Sequence, residues 1–481
     1  MASLIRVHKM ATLLTLPREI IHRVFYSAPQ ASRKQLRLAS SLTGEIGRKW
    51  VFESARIAPL KSSCERFRGI LDNPELAGCV TKVYIDTVRP TDDRRIRDKK
   101  PEDEFDDEAL NDVKDEDNLP RPFWNLVNRL HEFPRLQSVV LRFHADCDGE
   151  ENTWNWVTQT IDFRHSVLRK VFAVLANLPR LPTELAIQDL QNINPTDAGT
   201  KRDIKKVLGG LKSLRLHIAN ESDEGNGEHD IEKIALHDFF PSLGYTWLSP
   251  AAANLEHLTL YSQCYFGFFP TCDLTDIHFP RLKTLALGNY TLVHDSQLDW
   301  ITSHGATLQE LYLDDCPIIY EIMVEEKDTE RTFLEKDQYK VHPRVAGDNR
   351  YACYDKRWVD YLRAFDAKLP HLQHFRFGHC PTWWHNESTP FEEEGKITIG
   401  FHDESYMTYC EGYGPSQYMQ SLIWDVEDEE EEENGISYEY ESRVKPSEED
   451  IAALEGLLKK MGQEVSLDQD GRNASPPSLY D

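Results

Sequence analysis

The sequence predicts an α/β protein in three parts: a short N-terminal helical unit, an irregular β-α solenoid of strand-and-helix repeats, and an acidic C-terminal segment. Three observations predict it. Apolar residues recur at helical spacing between Leu16 and Trp50. The phrase L-x-x-L-x-L returns along the middle of the chain, and the alternation in its second half places both apolar residues on one face of a short strand. Charged runs separate and follow these segments, too polar to join a core.

Composition bounds the function. The chain has 481 residues, and 55 Lys+Arg against 81 Asp+Glu give a formal charge of −26, while 40% hydrophobic residues suffice for a core in more than one domain. Such a negative balance argues against the whole chain gripping nucleic acid, which needs a basic face to displace counterions. No apolar run approaches the roughly 20 residues that span a bilayer. The opening MASLIRVHKMATLLTL is broken by Arg6, His8 and Lys9 and lacks a cleavage site, so a cytoplasmic or nuclear location is expected. The sequons at Asn220, Asn289, Asn386 and Asn473 are then chance matches. Nine cysteines without a C-x-x-C pair suit reduced thiols.

The N-terminal element is LTLPREIIHRVF. Pro17 fits the first position of a helix, and Ile20, Ile21, Val24 and Phe25 then share one stripe, with Arg18, Glu19, His22 and Arg23 opposite. A second helix is expected from a capping pattern at Ser32 and Gln35, with Leu38, Leu42 and Ile46 recurring up to Trp50. Two or three short helices in about forty residues bury too little to be stable alone, so the unit leans on a neighbour or a partner.

These residues resemble an F-box motif of the fungal type over roughly residues 12 to 58. Leu16-Pro17-x-Glu19-Ile20, Leu36-Arg37-Leu38-Ala39-Ser40 and Trp50-Val51-Phe52 are its landmarks in order. The resemblance implies docking onto a Skp-family adaptor, and through it a cullin-RING ubiquitin ligase, by Leu16, Pro17, Ile20, Ile21, Val24, Phe25, Leu36 and Leu38. Two features depart from similar motifs. Ser41, Leu42 and Thr43 stand where basic residues and an aromatic are usual, and Gly44 and Gly47 weaken the helix by roughly 1 kcal/mol each relative to Ala.

The repeat comes next. Phe133-Pro134-Arg135-Leu136, Leu178-Pro179-Arg180-Leu181, Phe279-Pro280-Arg281-Leu282 and Leu369-Pro370-His371-Leu372 are four versions of one phrase. Core pairs follow at Val139 and Leu141, Leu285 and Leu287, and Phe375 and Phe377; the copy after Leu181 is shifted to Leu185 and Ile187. Copies without the proline place Leu214 with Leu216, Leu258 with Leu260 and Leu311 with Leu313, and Val83 with Ile85 starts the series. The pattern, and LQELYLDDCPI above all, resembles leucine-rich repeats over roughly 75 to 385, with Cys316 and Cys380 as buried structural thiols. Apolar spacing predicts helices at 123–130, 168–175, 298–301 and 358–365, on the convex side of a right-handed solenoid.

The parts are therefore a flexible 1–11, a helical motif at 12–58, a repeat region at 59–425 with charged insertions at 91–118, 221–230 and 325–350, and an acidic run, short helix and tail at 426–481. The short helix has Ser447 and Asp450 as cap and Ile451, Leu454, Leu457 and Leu458 as stripe.

No nucleophile-elbow, phosphate-loop or zinc-protease motif appears, so no enzymatic role and no cofactor are expected. His374, His379, Cys380 and His385 are metal-binding types, but their strand positions diverge. Outward positions on the repeats suit binding instead. Arg215, His257, Tyr261, Tyr312 and Arg376, with Trp383 and Trp384 in a loop, are the candidate target contacts. Tyr265, Phe266, Phe268 and Phe269 either join them or are buried by their own insertion. The expected function is recruitment of a target protein to a ubiquitin ligase; the alternative is a repeat scaffold with no role in ubiquitination.

Overall fold

The computed structural model describes residues 16–88, 119–145, 147, 159–220, 234–341, 348–380, 397–410 and 444–473. The predicted insertions at 91–118 and 221–230, the acidic run and the last eight residues lie outside them.

Three helices open the chain: α1 (Arg18–Ser27), α2 (Gln30–Leu38) and α3 (Ser41–Val51). The sequence pattern allows two or three helices, and the structure has three, the last two separated at Ala39 and Ser40. The physical reason is Ser40: its backbone is extended and its hydroxyl accepts from Thr43 N–H at 3.1 Å, while Thr43 Oγ1 accepts from Ser40 N–H at 2.9 Å. This reciprocal cap starts a new helix. Ser32, the expected cap, sits inside α2, which follows Pro29.

The main body is one ten-stranded sheet in the order β1 to β8, then β12 and β13. The strands are β1 (Ser54–Ile57), β2 (Lys82–Asp86), β3 (Ser138–Arg142), β4 (Glu184–Gln191), β5 (Ser213–Ala219), β6 (His257–Phe266), β7 (Thr284–Tyr290), β8 (Glu310–Asp314), β12 (His374–His379) and β13 (Thr398–Ile399). Every neighbouring pair is parallel except β12 with β13. Ser54–Ile57, read from sequence as the close of the helical motif, is thus the first strand of the sheet.

Register follows the repeat. Ala55, Val83, Val139, Leu185, Leu214, Leu258, Leu285, Leu311 and Phe375 pair in one row. Ile57, Ile85, Leu141, Ile187, Leu216, Leu260, Leu287, Leu313 and Phe377 form the next. All are buried, and each large side chain contributes about 1.5–3 kcal/mol over leaving it in water. A backbone fork precedes each strand from β2 to β8 and β12. The carbonyls of Glu53, Thr81, Gln137, Thr183, Lys212, Glu256, Lys283 and Gln309 each accept from two consecutive N–H groups entering the next strand.

Helices cover the face that carries these rows. The predicted ones appear as Arg121–Val127, Ile161–Ala176, Asp295–Ser303 and Trp358–Lys368, joined by Lys61–Leu71, Ala198–Leu208 and Ile234–Leu243. Their apolar residues, among them Phe67, Phe123, Phe172, Phe240, Trp358 and Phe365, complete one continuous core. Among the described residues no helix is long and apolar enough to cross a membrane.

Parts of the stretch 325–350, expected as a charged insertion, enter a second sheet, and Leu334 and Tyr339 from that stretch are buried. The sheet holds β9 (Ile318–Glu325), β10 (Lys340–Val341), β11 (Asn349–Cys353) and β14 (Tyr406–Cys410) in the order β10-β11-β9-β14. Its buried side, Ile319, Ile322, Val324, Met407 and Tyr409, packs on Tyr265, Phe268 and Phe269. Those aromatics are therefore interior, and Phe266 is in the main core.

The C-terminal helix Glu448–Lys460 has the predicted Ser447 cap and buries Leu454, Leu457 and Leu458 in the main core, so it belongs to the body. Asp450 fastens it: the buried carboxylate accepts from Val359 N–H at 2.7 Å, Arg357 Nη2 at 3.0 Å and Ser447 N–H at 2.8 Å. Gln463 then takes both backbone groups of Phe375, at 2.9 and 3.0 Å, covering part of the β12 edge.

Candidate functional site

The helical unit has its own small core. Ile21 and Phe25 from α1 meet Ile46 from α3, with Leu16, Leu36, Leu42 and Trp50 against them. Gly47 permits this approach, since a Cβ there would lie 2.6 Å from Phe25 Cζ. Arg33 ties the corner by donating to the carbonyls of Phe25 and Ala28 at 2.8 Å, and Trp50 Nε1 donates to His22 Nδ1 at 3.0 Å.

The eight predicted docking residues therefore divide. Ile21 and Phe25 are fully buried against Ile46 of α3, so this half of the stripe is taken up inside the unit and is not open to a partner as the sequence reading had it. Leu16 and Leu36 are half-buried against the same core, and Val24 is half-buried. Pro17 is exposed, as are Ile20 at 40% and Leu38 at 75%. Tyr26, 68% exposed and packed edge-on at 5.7 Å from the Trp50 ring, joins them. Periodicity missed it because it lies off the α1 stripe.

The second surface is the face of the large sheet that, among the described residues, carries no helices. Between the core rows, Arg56, Tyr84, Val140, Ala186, Arg215, Thr259, Ala286, Tyr312 and Arg376 pair in register. Arg215 is half-buried, with Nη1 3.5 Å from Ser213 Oγ, and His257 is half-buried with Nε2 2.9 Å from Thr259 Oγ1. Tyr261 is wholly buried and Tyr312 nearly so, which removes both as freely exposed contacts. The cause at Tyr261 is Gly288 on the next strand. With no side chain there, the ring lies across the glycine, where a Cβ would be 2.2 Å from it. Arg376 donates from Nη1 to the Ile397 carbonyl at 2.8 Å, and burial pulls its pKa down. Trp383 and Trp384 lie outside the described residues.

The carboxyl ends of the strands carry polar side chains that bind neighbouring strands. Asp189, Asn289 and Asp315 hold φ of 59°, 60° and 48°, a conformation that short polar residues tolerate by bonding locally. Asp189 Oδ1 meets His217 Nδ1 at 2.8 Å, Asn289 Nδ2 donates to the Ser262 carbonyl at 2.9 Å, and Asp315 meets His379 Nδ1 at 2.7 Å. Burial lowers the His379 pKa, but the Asp315 carboxylate outweighs it and holds the imidazole up at about 9. Burial, and then the Asp315 charge, push the Asp314 carboxyl well above its usual range. His402 meets Glu404 at 3.1 Å, and that bond lowers the Glu404 pKa.

No family model matches this chain, and no curated protein matches it.

Among the described residues no group of three or more His, Cys, Asp or Glu has the arrangement of a metal site. His374 lies against Tyr312 at 5.5 Å, His379 is held by Asp315, and Cys380 is buried, so the metal-binding residue types near 380 are separately engaged. His385 lies outside the described residues. A cavity of about 500 Å³ lies between the starts of helices Ile161–Ala176 and Ala198–Leu208. Thr160 and Asp197 already accept from those helices' N–H groups, so the caps are filled and a carboxylate faces any anion.

Proposed function

We propose that this chain recruits a target protein to a Skp-cullin-F-box type ubiquitin ligase, with no catalytic residues of its own. The observation that carries the reading is the helical unit. It closes a core of its own with Ile21, Phe25 and Ile46, yet leaves Ile20, Tyr26 and Leu38 in water. Exposed large apolar side chains on so small a unit suit a surface that another protein covers. An F-box-like docking element is the reading its sequence landmarks favour.

The parallel sheet, with its in-register leucine rows and helices on one side, supports reading 59 onward as an irregular leucine-rich-repeat-like solenoid. In such a solenoid the helix-free face is the recognition surface. Arg56, Tyr84, Arg215, His257, His374 and Arg376 remain at least partly exposed there and are the target contacts we favour.

The test is co-purification of the full-length chain with the Skp adaptor and cullin, beside an Ile20→Asp, Leu38→Asp variant. Both residues are exposed, so the variant keeps the wild-type fold to within about 0.5 kcal/mol per site. Wild type brings down adaptor and cullin and the variant brings down neither. Equal recovery with both proteins sinks the docking reading.

A further inference from the structure

The helix-free face is not uniformly open. Thr259 and Ala286 are wholly buried and Tyr312 nearly so, although among the described residues no helix lies over them. Among the described residues, what lies over this end is Ile397. It is wholly buried and forms with Tyr261, Ala286 and Tyr312 a cluster separate from the main core. Its carbonyl takes the Arg376 bond at 2.8 Å. The chain can lie this close because Gly378 has no side chain: a Cβ there would be 1.9 Å from the Thr398 carbonyl.

The contact has the form of peptide recognition. One aliphatic side chain fills a pocket walled by two tyrosines, one arginine takes the adjoining carbonyl, and an extended segment is aligned by a short ladder. The ladder is short: β13 pairs with β12 at Gly378 with Ile399 and His379 with Thr398, Gly400 N–H donates to the Phe377 carbonyl at 2.9 Å, and Ile399 and Phe401 anchor the following residues in the main core, leaving Ile397 as the side chain outside it. Ile397 precedes β13 and lies in a satellite cluster, from which a side chain exchanges more readily than from the main core.

We propose that Ile397 is a built-in occupant of a peptide-binding pocket formed by Tyr261, Ala286, Tyr312 and Arg376, and that an extended partner segment carrying an aliphatic residue displaces it. The inference rests on the reading of the helix-free face as the target surface. Recognition is then autoinhibited, and a target must outcompete the chain's own segment before it is held.

The test uses an N-acetylated, fluorescently labelled peptide copying residues 397–403 (ITIGFHD), added to full-length wild type and to full-length Ile397→Asp and Ile397→Ala. Aspartate drives the internal occupant out, so the peptide binds Ile397→Asp at least tenfold tighter than wild type. Ile397→Ala falls between them, and a peptide carrying Ile397→Asp binds none. Hydrogen exchange on the same samples loses protection at residues 397–399 while β6 to β8 keep theirs. No gain in peptide binding by either variant overturns the proposal, as does loss of protection through β6 to β8, which makes Ile397 an ordinary core residue. The peptide assay involves no adaptor and no target, so its failure leaves target recruitment standing. Target capture unaffected by Arg215→Glu and His257→Glu, with peptide binding intact, sinks the recruitment surface alone.

Discussion

Replacing Gly44 and Gly47 by alanine, one at a time, separates helix propensity from packing within α3. Each exchange gains about 1 kcal/mol of helical preference. At Gly44 the nearest atom to the new methyl is the Arg37 carbonyl oxygen at 3.4 Å, so the gain is kept. At Gly47 the methyl would stand 2.6 and 2.7 Å from Cζ and Cε1 of Phe25, about 1 Å inside the roughly 3.5–4.0 Å optimum for carbon contacts. Phe25 is fully buried, and overpacking of this kind costs about 1–3 kcal/mol, leaving a net loss of up to about 2 kcal/mol. The assay is hydrogen exchange of α1 to α3 in the full-length protein, with β5 to β7 as internal reference. Gly44→Ala slows α3 exchange about fivefold, while Gly47→Ala speeds it by up to about thirtyfold. Phe25→Leu added to Gly47→Ala recovers part of the loss. Equal slowing in both variants refutes the packing of Phe25 on α3, and with it the division of the predicted docking residues into core and surface.

Other perturbations have equally definite outcomes. Asp450→Ala strands the Val359 N–H and the Arg357 guanidinium, lowers stability by roughly 3 kcal/mol in chemical denaturation, and loosens Glu448–Lys460 first in hydrogen exchange. Gly288→Ala pushes its methyl into the Tyr261 ring and costs about 1–3 kcal/mol; denaturation of this variant beside Gly288→Ala, Tyr261→Ala shows recovery in the double variant. The folded pKa of His379 is raised to about 9, so the stabilisation from its bond to Asp315 is fully present below the unfolded value near 6.5 and is lost as pH rises through 9. Thermal melts of wild type and His379→Gln accordingly differ at pH 6 and converge by pH 10; a constant gap across that range contradicts the ion pair.

Sequence periodicity located most of the large sheet because each strand needs two buried residues at alternate positions. From Val83 to Phe377 the predicted pairs fall into register. It missed β1 because Ala55 is small and leaves Ile57 as the single large apolar residue of that strand. The second sheet was hidden because Glu321 and Glu325 interleave with Ile322 and Val324, and the charge that begins there read as a loop. At the candidate sites the failures share one cause. A stripe such as Ile20, Ile21, Val24 and Phe25 reveals that a helix has a buried face but not what buries it, and here α3 does so for half of it. Likewise alternation placed Tyr261 and Tyr312 on the helix-free face, but the space over Gly288 and the cover by Ile397 arise from residues distant in sequence.

The forked carbonyls have a consequence for how the chain is made. From β1 to β8 every strand's partner is the one immediately before it, so an emerging strand finds its template already in place on the nascent chain. That order fails only after β8, where β9 to β11 leave for the second sheet and β12 returns to close the gap. From then until Gln463 and the helix at Glu448–Lys460 are synthesised, the Phe375 end of β12 waits uncovered. Over the interval between residues 379 and 463 the growing chain therefore carries an unpaired strand edge that a second chain could pair with.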